Sequence, residues 1–255
     1  MGSNIWRYDH YDLRRFKQGD VKSFLDIGGN KGIATLTAWS AWADSNTKVA
    51  YIEPHPDTYK QGLEWIGEFP ILTGVTTHCF ALGDGNPLHF LGGGHSGLYR
   101  FDSTPGSHSL EVPSYTLPDI VSNLDVDEDN LIIKMDCEGG ERFAMFDEKS
   151  LGILYKTMHL AMEIHYDFNI TPESFILFCR RMAKTHVVRR VIQRTDLPLF
   201  RSHIPDDFLN DDSLMMKISN KGQKEWTFTR KDWDVKRPTD NDVSVVEVGK
   251  SEGWL

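Results

Sequence analysis

Two short runs end in residues able to move a proton: IIKMDCEGGE (132–141) and MEIH (162–165). Each reads as an apolar strand whose carboxyl end carries charge. Lys134 and Asp136 are two apart, so on a strand they share one face. Glu163 and His165 close the second run in the same way. If the two strands are neighbours, carboxylates, an amine and an imidazole meet at one sheet edge. His165 has an ordinary pKa near about 6.5, which suits a general base at neutral pH. Glu163 then orients His165 or a substrate, Asp136 faces a bound amino group or the substrate, and Lys134 pairs with a carboxylate. Asp136, Glu163 and His165 also form an O,O,N set of the kind that takes Mg²⁺ or Mn²⁺, though not a favoured one. Glu138 and Glu141 flank Gly139-Gly140, and Glu141 reads as a first-turn acid favoured by a helix dipole. Cys137 reads as a small core residue.

A second constellation lies in FLDIGGNKGIATLTAW (24–39): Asp26 ends an apolar run, and Gly28, Gly29, Asn30 and Gly32 form a turn before helical spacing begins. Three ligands suit a strand, glycine turn and helix: a nucleoside triphosphate, a dinucleotide or S-adenosyl-L-methionine (SAM). The triphosphate loop needs G-x-x-x-x-G-K-[ST], which is missing from the sequence. The dinucleotide fingerprint would need glycines at 28, 30 and 33, where the chain has Gly28, Asn30 and Ile33. SAM needs a tight turn by its methionine end and an acid for its ribose hydroxyls. Glu53, at the end of the next apolar run, supplies that acid.

The elements that must position these groups alternate. Residues 21–28 read as a strand, 33–43 as a helix, 47–54 as a strand stopped by Pro54, and 56–69 as a helix opened by Pro56. Residues 75–82 read as a third strand. Further helices are expected at 117–124, from Glu141, and at 171–184, with strands at 130–140, 157–165, 187–194, 213–219 and 225–230. Such alternation implies right-handed crossovers and a mainly parallel sheet covered on both faces. Residues 83–112, rich in Gly, Ser and His, read as a long loop, either a lid or disordered. The expected division is an N-terminal extension (1–20), one domain (21–235) and a polar tail (236–255).

Composition narrows the rest. The chain has 255 residues, 40% hydrophobic, with 14 Phe, 8 Tyr and 7 Trp, enough for one sizeable α/β core. No apolar window approaches the ~20 residues that span a bilayer. Cys79, Cys137 and Cys179 are three and far apart, which argues against a disulfide framework and for a reducing compartment, hence cytoplasm. A net charge of −9 disfavours nonspecific binding to a phosphate backbone. The basic residues Arg180, Arg181, Lys184, Arg189, Arg190 and Arg194 are expected on a solvated face, with a local nucleic-acid surface as the alternative.

The strings FLDIGGNKG (24–32), YIEPHPDTY (51–59), ALGDG (81–85), VPSYTLPDIV (112–121), IIKMDCEGGE (132–141) and MEIH (162–165) occur in an order that resembles the FkbM family of SAM-dependent methyltransferases. The likeness covers about residues 22–166. It departs at Gly29, where the family usually has Ala, and finds no match beyond about residue 170. The resemblance implies a Rossmann-like class I methyltransferase fold: a mainly parallel seven-stranded sheet with helices on both faces and an antiparallel C-terminal strand. It implies SAM as methyl donor, held by Asp26, Gly28, Gly29, Asn30, Gly32, Glu53, His55, Ala81 and Asp136. It implies a hydroxyl acceptor on a small molecule or glycan; the absence of a spanning apolar window leads to the expectation of no membrane involvement. Two alternatives stand beside it: a cap-type ribose 2′-O-methyltransferase acting on nucleic acid, and a non-catalytic SAM-binding or scaffold protein.

Overall fold

The computed structural model describes residues 9, 11–69, 74–91, 100–102, 110–166, 169–192, 200–212, 215–216, 225–236 and 242–243. In chain order the strands are β1 (Ser23–Ile27), β2 (Lys48–Ile52), β3 (Val75–His78), β4 (Ala81–Leu82), β5 (Leu88–Leu91), β6 (Arg100–Asp102) and β7 (Leu110–Val112). They continue as β8 (Ser114–Tyr115), β9 (Leu131–Met135), β10 (His159–Glu163), β11 (His186–Ile192), β12 (Phe200–His203), β13 (Glu225–Arg230) and β14 (Asp242–Val243). The helices are α1 (Ile33–Ala41), α2 (Pro56–Gly67), α3 (Leu117–Asn123), α4 (Arg142–Met145), α5 (Glu148–Lys156), α6 (Pro172–Met182), α7 (Asp206–Leu209) and α8 (Lys231–Lys236).

The main sheet has the order β14-β12-β11-β13-β10-β9-β1-β2-β3. Strands β3, β2, β1, β9 and β10 are parallel, and β13 inserts antiparallel between β10 and β11. The seven strands from β3 to β11 are the expected sheet with its antiparallel C-terminal strand, and β12 and β14 widen it at one edge. Every residue of β1 and β9 is buried, as both faces of a central parallel sheet must be. Side chains alternate between two cores. Leu25, Ile27, Ile133 and Met135 meet apolar residues of α3, α5 and α6; Phe24 and Ile132 meet Ala34 and Ala38 of α1 and Trp42.

Caps fix where the helices start. Thr116 and Thr171 close capping boxes on α3 and α6, and Asp147 accepts the Ser150 N–H to open α5. That last cap divides the helix expected from Glu141 into α4 and α5. Leu13 and Phe16, in the segment expected as an extension, are buried in the α1-side core.

Three expectations change. The strand expected at 75–82 is two: β3 pairs with β2, whereas β4 pairs with β8 in a separate sheet. Pro54 lacks the N–H that would carry the ladder further, so the chain leaves its neighbour there. The loop expected at 83–112 contains a three-stranded antiparallel sheet, β6-β5-β7, whose Leu88 and Val112 pack with Ala81 in a small core of their own. Residues 92–99 and 103–109 lie outside the described residues. The strand expected at 213–219 is not formed at Met215 and Met216, which are helical; Met215 is buried in the main core, and β12 takes the sheet edge instead. Of the expected polar tail, Asp242–Val243 pairs with β12, and 237–241 and 244–255 lie outside the described residues. Among the described residues, no helix is long and apolar enough to cross a membrane.

Candidate active site

Strands β1, β2, β9 and β10 are parallel neighbours, so their carboxyl ends form one edge, and the expected chemistry-bearing residues collect there. The turn after β1 is pinned by the N–H groups of Gly28 and Gly29, both of which donate to the Ile52 carbonyl at 3.0 and 2.9 Å. A Cβ on Gly28 (φ +75) would lie 1.7 Å from the Asp136 carbonyl oxygen, and one on Gly29 would lie 2.5 Å from the Tyr51 ring. These two glycines make room for the protein itself. Exposed Asn30 and Lys31 form the outer surface of the turn. Gly32, also left-handed, leads directly into α1.

Beneath the turn, Asp26 and Lys134 stand opposite each other in register. Their charges approach to 3.2 Å, and both side chains are buried. The other Asp26 oxygen accepts from the N–H and the hydroxyl of Thr35 on α1, at 3.0 and 2.7 Å. Asp26 thus shapes the glycine turn from inside. Lys134 also donates to the Gly28 carbonyl and lies 3.9 Å from Asp136. Burial alone favours a neutral amine at Lys134, but the charge of Asp26, with that of Asp136, outweighs it and raises the pKa. The Tyr11 ring lies over the ammonium at 5.5 Å, and its hydroxyl donates to Asp136 at 3.2 Å. Tyr11, Leu13, Asn30, Lys31, Lys134 and Asp136 are among the residues around a cavity of about 390 Å³.

Glu53 follows β2 and is nearly buried. One oxygen accepts the Asn30 N–H and the other the His55 N–H, each at 2.9 Å. Burial raises its pKa, and the two N–H bonds oppose that rise. His55 caps α2 through its Nδ1, so its side chain is engaged there. Ala81 is buried in the small core around Leu88.

His165 is the hub of the other half. Its Nδ1 meets buried Glu141 at 3.1 Å, and its Nε2 lies 3.3 Å from Glu138, 3.6 Å from Glu163 and 3.9 Å from Asp136. Burial would lower the pKa of this imidazole. The hydrogen bond and charge of Glu141, with Glu138 and Asp136, instead hold it up at about 9. At that value the imidazole carries its proton at neutral pH. Of the weak metal candidates, Asp136 and His165 lie with Glu138, rather than Glu163, in a set of possible ligand atoms within 4.8 Å of one another. Glu138 reaches that place because its backbone is left-handed, φ 52.

The raised pKa has a consequence for stability. Because the folded value, about 9, exceeds the ordinary one, His165 stabilises the fold fully below about pH 6.5 and loses that contribution as pH rises through about 9. The expected loss is at most about 3 kcal/mol. Denaturant unfolding of wild type and His165→Asn at pH 6 and pH 10 checks it: the gap between them should narrow at the higher pH, and an unchanged gap would contradict it.

The basic stretch forms no open cationic face among the described residues. Arg180 and Arg181 pair with Asp212 and Glu148, while Arg189 and Arg190 are buried in β11, Arg189 bound to Asp234. Lys184 is exposed, and Arg194 lies outside the described residues. Sequence reasoning missed Tyr11 and Thr35. Neither carries a spacing signal, since both reach the site from elements whose pattern is that of an ordinary turn or helix.

The family described as Methyltransferase FkbM domain matches residues 26–182. No curated protein matches the chain. Among solved structures, the FkbM methyltransferase of Methylobacillus flagellatus KT aligns at 14% identity and TM-score 0.47, covering 82% of this chain and 44% of that one, so this chain spans less than half of its length. The precorrin-6y C5,15-methyltransferase of Geobacter metallireducens GS-15 aligns at 9% identity and TM-score 0.44, covering 90% and 91% of the two chains. TrmK of M. capricolum, solved with S-adenosyl-homocysteine, aligns at 9% identity and TM-score 0.40, covering 87% of this chain and 67% of that one.

Proposed function

Because this chain belongs to the FkbM methyltransferase family, we propose that it transfers a methyl group from SAM to a hydroxyl on a small molecule or glycan. The observation that carries this reading is the gathering, at one sheet edge, of nearly buried Glu53, a cavity bounded by Asn30, Lys31 and Asp136, and the acids around His165. The residues present fit the donor. Each Glu53 oxygen takes one backbone N–H and keeps a lone pair for a ribose hydroxyl. The Asp136 carboxylate lines a cavity of a size to take the amino-acid end, whose ammonium it pairs. Bound there, SAM supplies a methyl group already activated on a sulfonium, so much of the catalysis is positioning.

An aliphatic hydroxyl must lose its proton as it attacks. With His165 cationic, a rim carboxylate (Asp136, Glu138 or Glu163) takes that proton, and the imidazolium stabilises charge developing on the acceptor oxygen. Three acids at the rim repel a phosphate chain, and of the basic stretch Arg180, Arg181 and Arg189 are held in ion pairs and Arg190 is buried. The three cysteines, all free, fit a cytoplasmic protein.

Methyl-labelled SAM, offered with hydroxylated small molecules, oligosaccharides and capped RNA, tests the reading. Label in a small molecule or sugar supports it, and label in RNA alone would reverse the acceptor class. Loss of transfer in chelator, restored by Mg²⁺, would add a cation to the site. Glu53→Ala is expected to weaken donor binding about 10- to 100-fold, from the loss of charge-assisted bonds worth about 1.5–3 kcal/mol. Calorimetry checks it, with a thermal melt to confirm folding; unchanged affinity would remove Glu53 from the donor site.

A further inference from the structure

Glu141 is fully buried, yet three donors converge on its carboxylate. Oε1 accepts the Cys137 N–H at 2.7 Å and meets His165 Nδ1 at 3.1 Å; Oε2 accepts the Gly139 N–H at 2.9 Å. A helix-dipole role does not account for this, because α4, which follows it, is only four residues long. Satisfying two backbone N–H groups needs an acceptor and no charge, whereas a buried charge costs several kcal/mol unless it is matched. The group that faces it is the imidazole of His165, its Nδ1 3.1 Å from Oε1.

The backbone that Glu141 ties is itself unusual. Glu138 and Gly139 are both left-handed, φ 52 and 99, and for a residue with a Cβ this conformation costs about 1–2 kcal/mol. The bonds from Cys137 and Gly139 to Glu141 bracket that turn and hold it. As a result Glu138 swings to 3.3 Å from His165 Nε2, on the side where Asp136 and Glu163 also lie.

Resting on the methyltransferase reading above, we propose that Glu141 is a positioning residue for methyl transfer: it fixes His165 by Nδ1–H and holds the 137–139 turn. Nε2 and the Glu138 carboxylate are thereby presented together to the acceptor. Glu141 touches neither donor nor acceptor and acts through these two groups. The logic is that of a carboxylate that orients an imidazole.

The test uses the full chain. With ¹⁵N-labelled histidine, the wild type should show a hydrogen-bonded Nδ1–H proton for His165, assigned by its loss in His165→Asn. In Glu141→Gln that signal should move or vanish, and turnover should fall about 10- to 100-fold, the scale of a misplaced catalytic group, with SAM affinity within about threefold. Glu141→Asp, which keeps the charge, should recover part of both. A purely structural role would lower the melting temperature and leave the kcat-to-affinity split unmoved. Turnover in Glu141→Gln equal to wild type would overturn the proposal. So would a wild-type His165 lacking the Nδ1–H bond, a result independent of whether any variant folds. An intact Nδ1–H signal in a chain that binds no SAM would support the Glu141–His165 link and strike only the reaction assigned to it.

Discussion

Replacing Lys134 with Met is expected to destabilise the fold by about 3–5 kcal/mol, the usual result of removing one partner from a buried ion pair. Lys134 and Asp26 are 3.2 Å apart, with side chains 4% and 0% exposed. Methionine fills much of the volume but leaves Asp26 with only Thr35 as a donor. It also frees the Gly28 carbonyl that the ammonium holds, so the glycine turn should loosen with the loss of stability. Denaturant unfolding measures the first effect. The double variant Asp26→Asn with Lys134→Met separates charge from packing, because a buried pair replaced as a whole costs far less than one that is broken. A loss below about 1 kcal/mol in the single variant would mean that solvent reaches Asp26 and that the pair is not the frame of the site.

Asp136→Asn should behave in the opposite manner, with little change in folding and a turnover lower by about 10²–10³-fold, or about 2.7–4 kcal/mol in barrier. Its carboxylate is 25% exposed and is shared among Tyr11 at 3.2 Å and Lys134 and His165 at 3.9 Å each. An asparagine oxygen can still accept from Tyr11, so the local structure should survive. What is lost is the negative charge at the point where the cavity beside the glycine turn meets the rim of acids. Steady-state kinetics with the melting curve alongside checks both parts. Turnover within about threefold of wild type would place the chemistry away from the end of β9.

Much of this arrangement can be read from residue types and spacing. The alternation of apolar runs with capped helical runs yields the parallel sheet, because a strand buried on both faces leaves a continuous apolar signature, as in LIIKM. The strand ends follow from it, so Asp136, Glu163 and His165 fall at one edge once their strands are neighbours. Other features have no such signature. The Cβ positions of Gly28 and Gly29 are filled by Asp136 and Tyr51, residues remote in sequence, so the reason for glycine is visible only in three dimensions. The raised pKa of His165 depends on three acids converging, Glu141, Glu138 and Asp136, one of them brought in by a left-handed turn. Tyr11 reaches the site across 125 residues of sequence. The small sheet β6-β5-β7 was obscured because its short strands are separated by Gly- and Ser-rich stretches, which read as loop.

Titration calorimetry of the full chain with S-adenosyl-homocysteine addresses the account most directly, since the demethylated donor needs the same pocket and no acceptor. One binding site per chain, with affinity reduced when Glu53 is replaced by Ala, is the outcome that follows from a ribose-binding acid beside the Gly28–Gly32 turn. No heat and no thermal shift with the folded wild-type chain would mean that these residues do not form a donor site.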